Sequence, residues 1–252
     1  MKFSEKNRVV WITGAGKGIG RALAKRFAAD GWIVAASART EKDLASLKSE
    51  CVTGSIFCFP LDVTDQAATS TIFEQIVEDI GPLSLVILNA GNHIPMTAKN
   101  FSSETFRTLI ETNFMGVVYS LEQVVPMFLE RREGHIAVVA SLAGYRGLPT
   151  SSAYGASKAA LINMCEALKP ELDLAGVKIS LINPGFVETP LTDKNKFSMP
   201  FLIPVEEAVD AIIAGLKTSA FEISFPRRFS LVMKILRILP LRIYFALTRR
   251  MI

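Results

Sequence analysis

The chain has 252 residues, half of them hydrophobic and 21% charged, with 28 Lys and Arg against 24 Asp and Glu. A chain of this size buries a substantial core without disulfides or metals, and no run of ~18 uninterrupted apolar residues argues for a membrane span. The net charge of +4 sits at one end, because Arg227, Arg228, Lys234, Arg237, Arg242, Arg249 and Arg250 lie in residues 225–252 with no acid among them, leaving 21 bases against 24 acids elsewhere. The main body therefore offers no basic footprint for nucleic acid.

Residues 1–8 contain no apolar segment of a signal-peptide kind, and the first apolar run, from Val9 to Ile12, already belongs to the fold. Residues 8–13 read as a strand and 18–30 as a helix. Residues 32–37 are strand, 41–49 helix, 55–61 strand, 69–80 helix and 83–89 strand. Residues 101–130 form one long helical stretch, with Pro126 near its end, before a strand over 135–141. Residues 154–174 are helical despite Pro170, 178–182 are strand, and 205–218 are helix. Strands alternating with helices predict an α/β fold, a doubly wound parallel sheet with helices on both faces. The three cysteines, Cys51, Cys58 and Cys165, make no CxxC pair and read as reduced thiols of a cytosolic protein. The expected organisation is a catalytic domain over 1–224 and a tail over 225–252.

Three loops follow strands: 14–20, 90–100 and 185–204. In open α/β sheets ligands bind beyond the carboxyl ends of the strands. The first loop, Thr13-Gly14-Ala15-Gly16-Lys17-Gly18-Ile19-Gly20, joins strand to helix. Its glycines permit positive φ and close backbone approach, and the helix N-terminus offers free N–H groups to a pyrophosphate. The spacing is neither G-x-G-x-x-G nor a P-loop. The second strand ends Ala35-Ala36-Ser37-Ala38-Arg39, where an NAD enzyme usually carries an acid for the ribose 2′-hydroxyl. Small residues such as Ser37 stand there instead, and Arg39, helped by Lys17, suits a 2′-phosphate. This favours NADP(H) over NAD(H).

Tyr154-Gly155-Ala156-Ser157-Lys158 places Tyr154 and Lys158 four apart, on one helix face. A free phenol has a pKa near ~10, and a nearby ammonium lowers it. Such a tyrosine can exchange a proton with the oxygen of a carbonyl undergoing reduction. These segments, with Asn89-Ala90-Gly91 and Asn183-Pro184-Gly185, occur in the order and spacing of the short-chain dehydrogenases/reductases, and the chain resembles that family over residues 8–218.

The resemblance implies a Rossmann-type fold and a role for each matching residue. Ser141, thirteen residues before Tyr154, would hydrogen-bond the substrate oxygen, and Tyr154 would exchange its proton. Lys158 would bind the nicotinamide ribose and depress the Tyr154 pKa. Asn113 resembles the residue that holds a water in the proton relay. Asp62, in Leu61-Asp62-Val63-Thr64, resembles the acceptor for the adenine amino group, with Val63 beside it. Thr13, Gly14, Gly16, Lys17, Gly18, Ile19 and Gly20 would cradle the pyrophosphate. Asn89, Ala90 and Gly91 would line the adenosine ribose, and Pro184, Gly185, Val187 and Thr189 would meet the nicotinamide. The family usually has a second Asn where this chain has Leu88. Family members are commonly dimers or tetramers through the helices read here at 101–130 and 154–174.

His93 reads as a surface-loop residue or a substrate contact, and His135 as structural. Two histidines without an acidic cluster at ligand spacing predict no metal. Residues 192–204 resemble the variable substrate lid, made apolar here by Phe197, Met199, Phe201, Leu202 and Ile203, with Leu148 and Pro149 on the opposite wall. In the tail, Lys234, Arg237, Arg242 and Arg249 fall on one side of a continuous helix, with Phe229, Val232, Met233, Leu236 and Leu239 away from them. Pro240 predicts two short helices instead. They either lie on an anionic membrane or pack on a subunit or on the substrate pocket.

The expected function is an NADP(H)-dependent oxidoreductase moving hydride between nicotinamide and an apolar carbonyl or alcohol, cytoplasmic and able to touch membrane through its tail. The alternatives are a redox-inactive dinucleotide-binding sensor or scaffold, and a membrane-bound lipid or sterol enzyme.

Overall fold

The structure, a computed structural model, describes residues 8–194 and 199–251. Seven strands form one parallel sheet: β1 (Val9–Thr13), β2 (Ile33–Ala38), β3 (Ile56–Pro60), β4 (Leu85–Leu88), β5 (His135–Val139), β6 (Lys178–Pro184) and β7 (Glu222–Phe225). Their order across the sheet is β3-β2-β1-β4-β5-β6-β7, and Ile12 stands beside both Ala36 and Ile87. The order reverses between β1 and β4, and the crevice at such a switch point is where this architecture takes ligands.

Both faces of the sheet are buried. Val9 and Trp11 enter one core with Phe128 and Leu161, while Val10 and Ile12 enter the other with Leu23, Leu44 and Ile212. Sheets covered on both sides need near-continuous apolar strands, which is why β1, β2, β4 and β5 read as apolar runs with few polar positions. The helices on the second face are α1 (Gly18–Ala29), α2 (Glu41–Ser49) and α7 (Val205–Leu216). The first face carries α3 (Gln66–Asp79), α5 (Gly116–Arg131) and α6 (Ser152–Leu174), and α4 (Ser103–Ile110) packs on α6. Asp65 caps α3 by accepting from the Ala68 N–H.

Three expectations change. The long helix over 101–130 is α4 and α5 joined by a π-helical turn, Glu111–Met115. Such π-turns are rare and cluster at functional sites, and Asn113, inside this one, bonds Asn92 and Ser157 through its side chain. The helix expected from Tyr154 begins at Ser152, so Tyr154 lies in its first turn. Strand β7 has no counterpart in the sequence reading, because Glu-Ile-Ser-Phe is too short and too mixed to stand out. The tail is two helices, α8 (Arg227–Ile238) and α9 (Leu241–Thr248), broken at Pro240 as the sequence predicts, so no continuous basic stripe forms.

Candidate active site

The loop after β1 and the loop after β4 are locked together. The Thr13 hydroxyl accepts from the backbone N–H of Asn89 at 3.0 Å and of Ala90 at 3.1 Å. The Asn89 amide donates back to the carbonyls of Thr13 and Gly14. Gly14 and Gly18 have φ of +68° and +53°, values that penalise a side chain. A Cβ on Gly14 would lie 2.8 Å from Ala90 Cα, and one on Gly20 would overlap the Gly14 carbonyl oxygen and the Asn89 amide nitrogen. The cradle expected for a pyrophosphate is therefore built from backbone at the start of α1.

Around that cradle the predicted residues divide. Ile19, Asn89, Gly91, Pro184, Gly185, Val187 and Thr189 line a cavity of about 640 Å³ with Ser141, Tyr154 and Lys158. A Cβ on Gly16 would meet Ala38 at 3.2 Å and Asp43 at 3.1 Å. Lys17 pairs with Asp43 at 3.3 Å, and Arg39 stands 4.0 Å from Asp62, both arginine and lysine being exposed at the edge of the crevice. Asp62 also accepts from the backbone and hydroxyl of Thr64. Two assignments change. Ser37 is buried, its hydroxyl accepts from the Trp11 indole at 3.0 Å, and its carbonyl accepts from the Ala15 N–H; it holds the glycine loop rather than facing the crevice. Val63 is buried against Gly116, where a Cβ would sit 2.7 Å from its Cγ2, so its side chain serves the core.

The catalytic candidates converge on the cavity floor. Ser141 ends the segment after β5, and its hydroxyl accepts from the Ala143 N–H at 3.1 Å and donates to the Pro184 carbonyl at 3.4 Å, lining the cavity with Tyr154. Lys158 is buried and donates to the Val139 carbonyl at 2.9 Å; burial pulls its pKa down to about 8. Asn113 accepts from the Asn92 N–H at 2.7 Å and donates to the Asn92 carbonyl and the Ser157 hydroxyl. Gly91 stands beside both Asn113 and Lys158, a Cβ there being 3.3 Å and 3.4 Å from their polar atoms.

Desolvation raises the Tyr154 pKa, and the nearby Ser141 hydroxyl only partly opposes it. Lys158 Nζ lies 5.9 Å from the Tyr154 ring centroid and turns to a carbonyl, so the expected lowering by the ammonium is not what this geometry delivers. His93 is a second correction. It is buried, lines the cavity, and packs edge-on against Tyr154 with ring centroids 4.8 Å apart; it is no surface-loop residue. His135 is buried against Ser180 at 2.9 Å, and burial pulls its pKa down to about 3.

The cavity walls are apolar. Leu148 and Pro149 stand on one side, and Phe186, Pro200 and Phe201 on the other. Ile203 is buried and bridges Val187, while Phe197 lies outside the described residues. The third wall belongs to the tail, through Phe229, Val232, Met233, Leu236 and Met251, which is one of the alternatives that the sequence leaves open. Phe229 stacks between Phe186 and Phe201, at 5.4 Å and 5.8 Å. A helical period places Phe229, Met233 and Leu236 on one face, and that signal was present. Its target was not, because Pro226 and β7 set the direction of α8.

Residues 8–198 match the family model described as short chain dehydrogenase. An uncharacterized oxidoreductase of Myxococcus xanthus is 37% identical over 246 residues, 97% of each chain. A short chain dehydrogenase of Burkholderia cenocepacia, solved in complex with NADP, is similar at TM-score 0.81 and 26% identity, covering 94% of this chain and 95% of that one. A short chain dehydrogenase/reductase of Burkholderia phymatum, solved with NAD, is similar in fold at TM-score 0.85 and 24% identity, covering 92% of this chain and 94% of that one. With Ser141, Tyr154 and Lys158 gathered at the switch point of such a sheet, the chain belongs to the short-chain dehydrogenase/reductase family and is a nicotinamide-dependent oxidoreductase acting on CH–OH or C=O groups.

Proposed function

We propose that the enzyme works as an NADP(H)-dependent reductase of an apolar or amphipathic carbonyl compound, with Tyr154 as the proton donor. The observation that carries this reading is the partly buried Tyr154 phenol beside Ser141 in the lining of an apolar cavity, where desolvation raises its pKa further above the neutral range. A protonated phenol is what a developing alkoxide requires. The backbone cradle at Gly14, Gly18 and Gly20 fits a pyrophosphate, because a side chain at any of them would be strained or would fill the space. Arg39 and Lys17, exposed beside the cradle, suit the extra phosphate of NADP(H), and no acid takes the place of Ala38 or Arg39 at the end of β2. Asp62 and the Asn89–Gly91 backbone would hold the adenosine half, and Thr189, Val187 and Pro184 the nicotinamide half.

When bound, the cofactor supplies a hydride to the carbonyl carbon. Ser141 orients the carbonyl oxygen, Tyr154 Oη gives it a proton, and Lys158 and Asn113 hold the path by which that proton is replaced. Leu148, Pro149 and the tail exclude water from the reacting carbon. Self-association through α5 and α6 and contact of residues 225–252 with a membrane complete the proposal, for a cytoplasmic enzyme.

The test is a fluorescence titration with NADPH and NADH, paired with turnover across a panel of ketones. Tyr154→Phe is expected to bind NADPH as the wild type does and to lose about 10³-fold or more in turnover. Arg39→Ala is expected to weaken NADPH about tenfold or more while leaving NADH unchanged. Equal or stronger binding of NADH by the wild type refutes the phosphate argument, and a wild type inert on every ketone favours a dinucleotide-binding sensor.

A further inference from the structure

Helix α8 is apolar on two opposite faces. Phe229, Met233 and Leu236 face the cavity, whereas Leu231, Ile235 and Ile238 form an i, i+4, i+7 stripe on the outside with exposures of 61%, 48% and 80%. Helix α9 exposes apolar side chains as well, Leu241 and Phe245 on one side and Ile243 and Leu247 on the other. Of the placements that the sequence leaves open for the face of Phe229, Met233 and Leu236, the structure takes the cavity, and a different apolar face looks outward. A helix that is apolar on its outer side as well as its inner one has a second face to cover, and clustered exposed apolar side chains of this kind mark an interaction site.

Charge decides what covers it. Arg227, Arg228, Arg237, Arg242, Arg249 and Arg250 are exposed around the stripe, and residues 225–252 hold no acid. A twofold contact between two copies would set these arginines against one another, while anionic headgroups match them and acyl chains match the stripe. None of the helices is long and apolar enough to cross a membrane among the described residues, so the contact is interfacial.

The cavity shares this face. Phe201, Val232 and Met251 line it and are themselves exposed, which makes them the rim of its mouth, next to the outer stripe. We infer that α8 and α9 lie on an anionic bilayer and that the cavity takes its carbonyl substrate out of that bilayer, through the mouth rimmed by Phe201, Val232 and Met251. The substrate class is an amphiphile that partitions into lipid. The delivery half of this inference rests on the reductase reading, and the docking half does not.

The experiment uses the whole chain and vesicles of phosphatidylcholine with about one-third phosphatidylglycerol. Wild type is expected to sediment with them, less so at high salt, and to stay in solution with phosphatidylcholine alone. Ile235→Glu/Ile238→Glu, which touches neither cavity nor cofactor residues, is expected to bind NADPH normally and to lose more than about tenfold in vesicle affinity. Phe201→Trp is expected to be quenched by vesicles of brominated lipid, a readout independent of turnover. The double variant should lose turnover of a long-chain methyl ketone dissolved in vesicles while keeping that of cyclohexanone in water. A wild type that ignores anionic vesicles, a double variant that still binds them, or a concentration-dependent dimer abolished by the double variant without any vesicle binding overturns the docking. An unquenched Trp at position 201, or equal effects on both ketones, overturns the delivery. Vesicle binding and quenching together with no turnover of either ketone sinks the reductase reading and leaves the bilayer-facing mouth supported.

Discussion

Replacing Lys158 with Met should stabilise the fold at neutral pH, because the lysine is buried in an apolar wall. Its folded pKa is about 8, against 10.5 for the free side chain. That gap corresponds to roughly 3 kcal/mol of unfavourable burial of the charge at pH 7. Met has a similar shape and carries no charge, but it leaves the Val139 carbonyl without the donor now 2.9 Å away, a loss of about 1–2 kcal/mol. The net expectation is a gain of roughly 1–2 kcal/mol at pH 7, or about 2–8 °C in Tm for a chain of this size. The sign changes with pH. Below pH 8 the group is protonated in both states, and between pH 8 and 10.5 only the unfolded chain keeps the proton. Wild-type stability therefore gains from this group as pH rises through that window, and the advantage of the variant shrinks and reverses. Cys165, raised to about 12, and Tyr145, also raised, act oppositely in the same range, but they are common to both proteins and cancel in the difference. The assay is a pair of urea or thermal melts from pH 7 to 10.5. A variant less stable at pH 7 by the amount it loses at pH 10.5 refutes the reasoning, since Lys158 would then cost nothing to bury. A group that lowers stability where it stands is better explained by chemistry than by architecture.

Two further perturbations read the cradle and the tail. Gly20→Ala pushes a methyl group onto the Gly14 carbonyl and the Asn89 amide; it should cost about 1–3 kcal/mol in a urea melt and abolish NADPH binding in a fluorescence titration, and unchanged affinity would show that the cradle can give way. Arg146 donates to the carbonyls of Leu236, Arg237 and Leu239 at the end of α8 and lies 4.0 Å over the Tyr244 ring. Arg146→Ala should lose roughly 2 kcal/mol of docking, seen as faster amide exchange confined to residues 227–251, and uniform exchange across the sheet would mean that the tail is not a separate unit of opening.

The sequence exposes what depends on backbone periodicity and on rigid spacing. Both faces of β1, β2, β4 and β5 are buried, so each reads as an apolar run. The glycine loop is legible because Gly14 and Gly18 need positive φ and Gly20 tolerates no Cβ. Tyr154 and Lys158 are legible through helical spacing. What escapes is whatever depends on a distant neighbour. Ser37 looks like a crevice residue until Trp11 is found to hold its hydroxyl. His93 looks like a loop residue until the Tyr154 ring is placed beside it. The π-turn at Glu111–Met115 leaves no periodic mark in the sequence, and the Asn113 side chain within it bonds a loop 21 residues back in the chain.

The tail shows the same limit and turns it into a functional argument. Its periodicity correctly separates an apolar face from a charged one, yet an apolar face has no address, and whether it meets protein or lipid is decided by the chain that delivers it. Here β7 delivers it. Glu222 on β7 accepts from the Tyr145 hydroxyl and the Asn183 amide and pairs with Lys234 on α8, and the Tyr244 hydroxyl of α9 donates to the Gly147 carbonyl. These bonds tie both tail helices to the segment of residues 141–149, which also carries Ser141 and the Leu148–Pro149 wall. The inner face of α8 is thereby committed to the cavity, and the hydrophobicity left over must be outside. Docking that outer face and shaping the cavity are then two consequences of one helix position, so a change that frees the tail should alter substrate selection and surface attachment together, whereas a change to the outer stripe alone should alter only attachment and what depends on it.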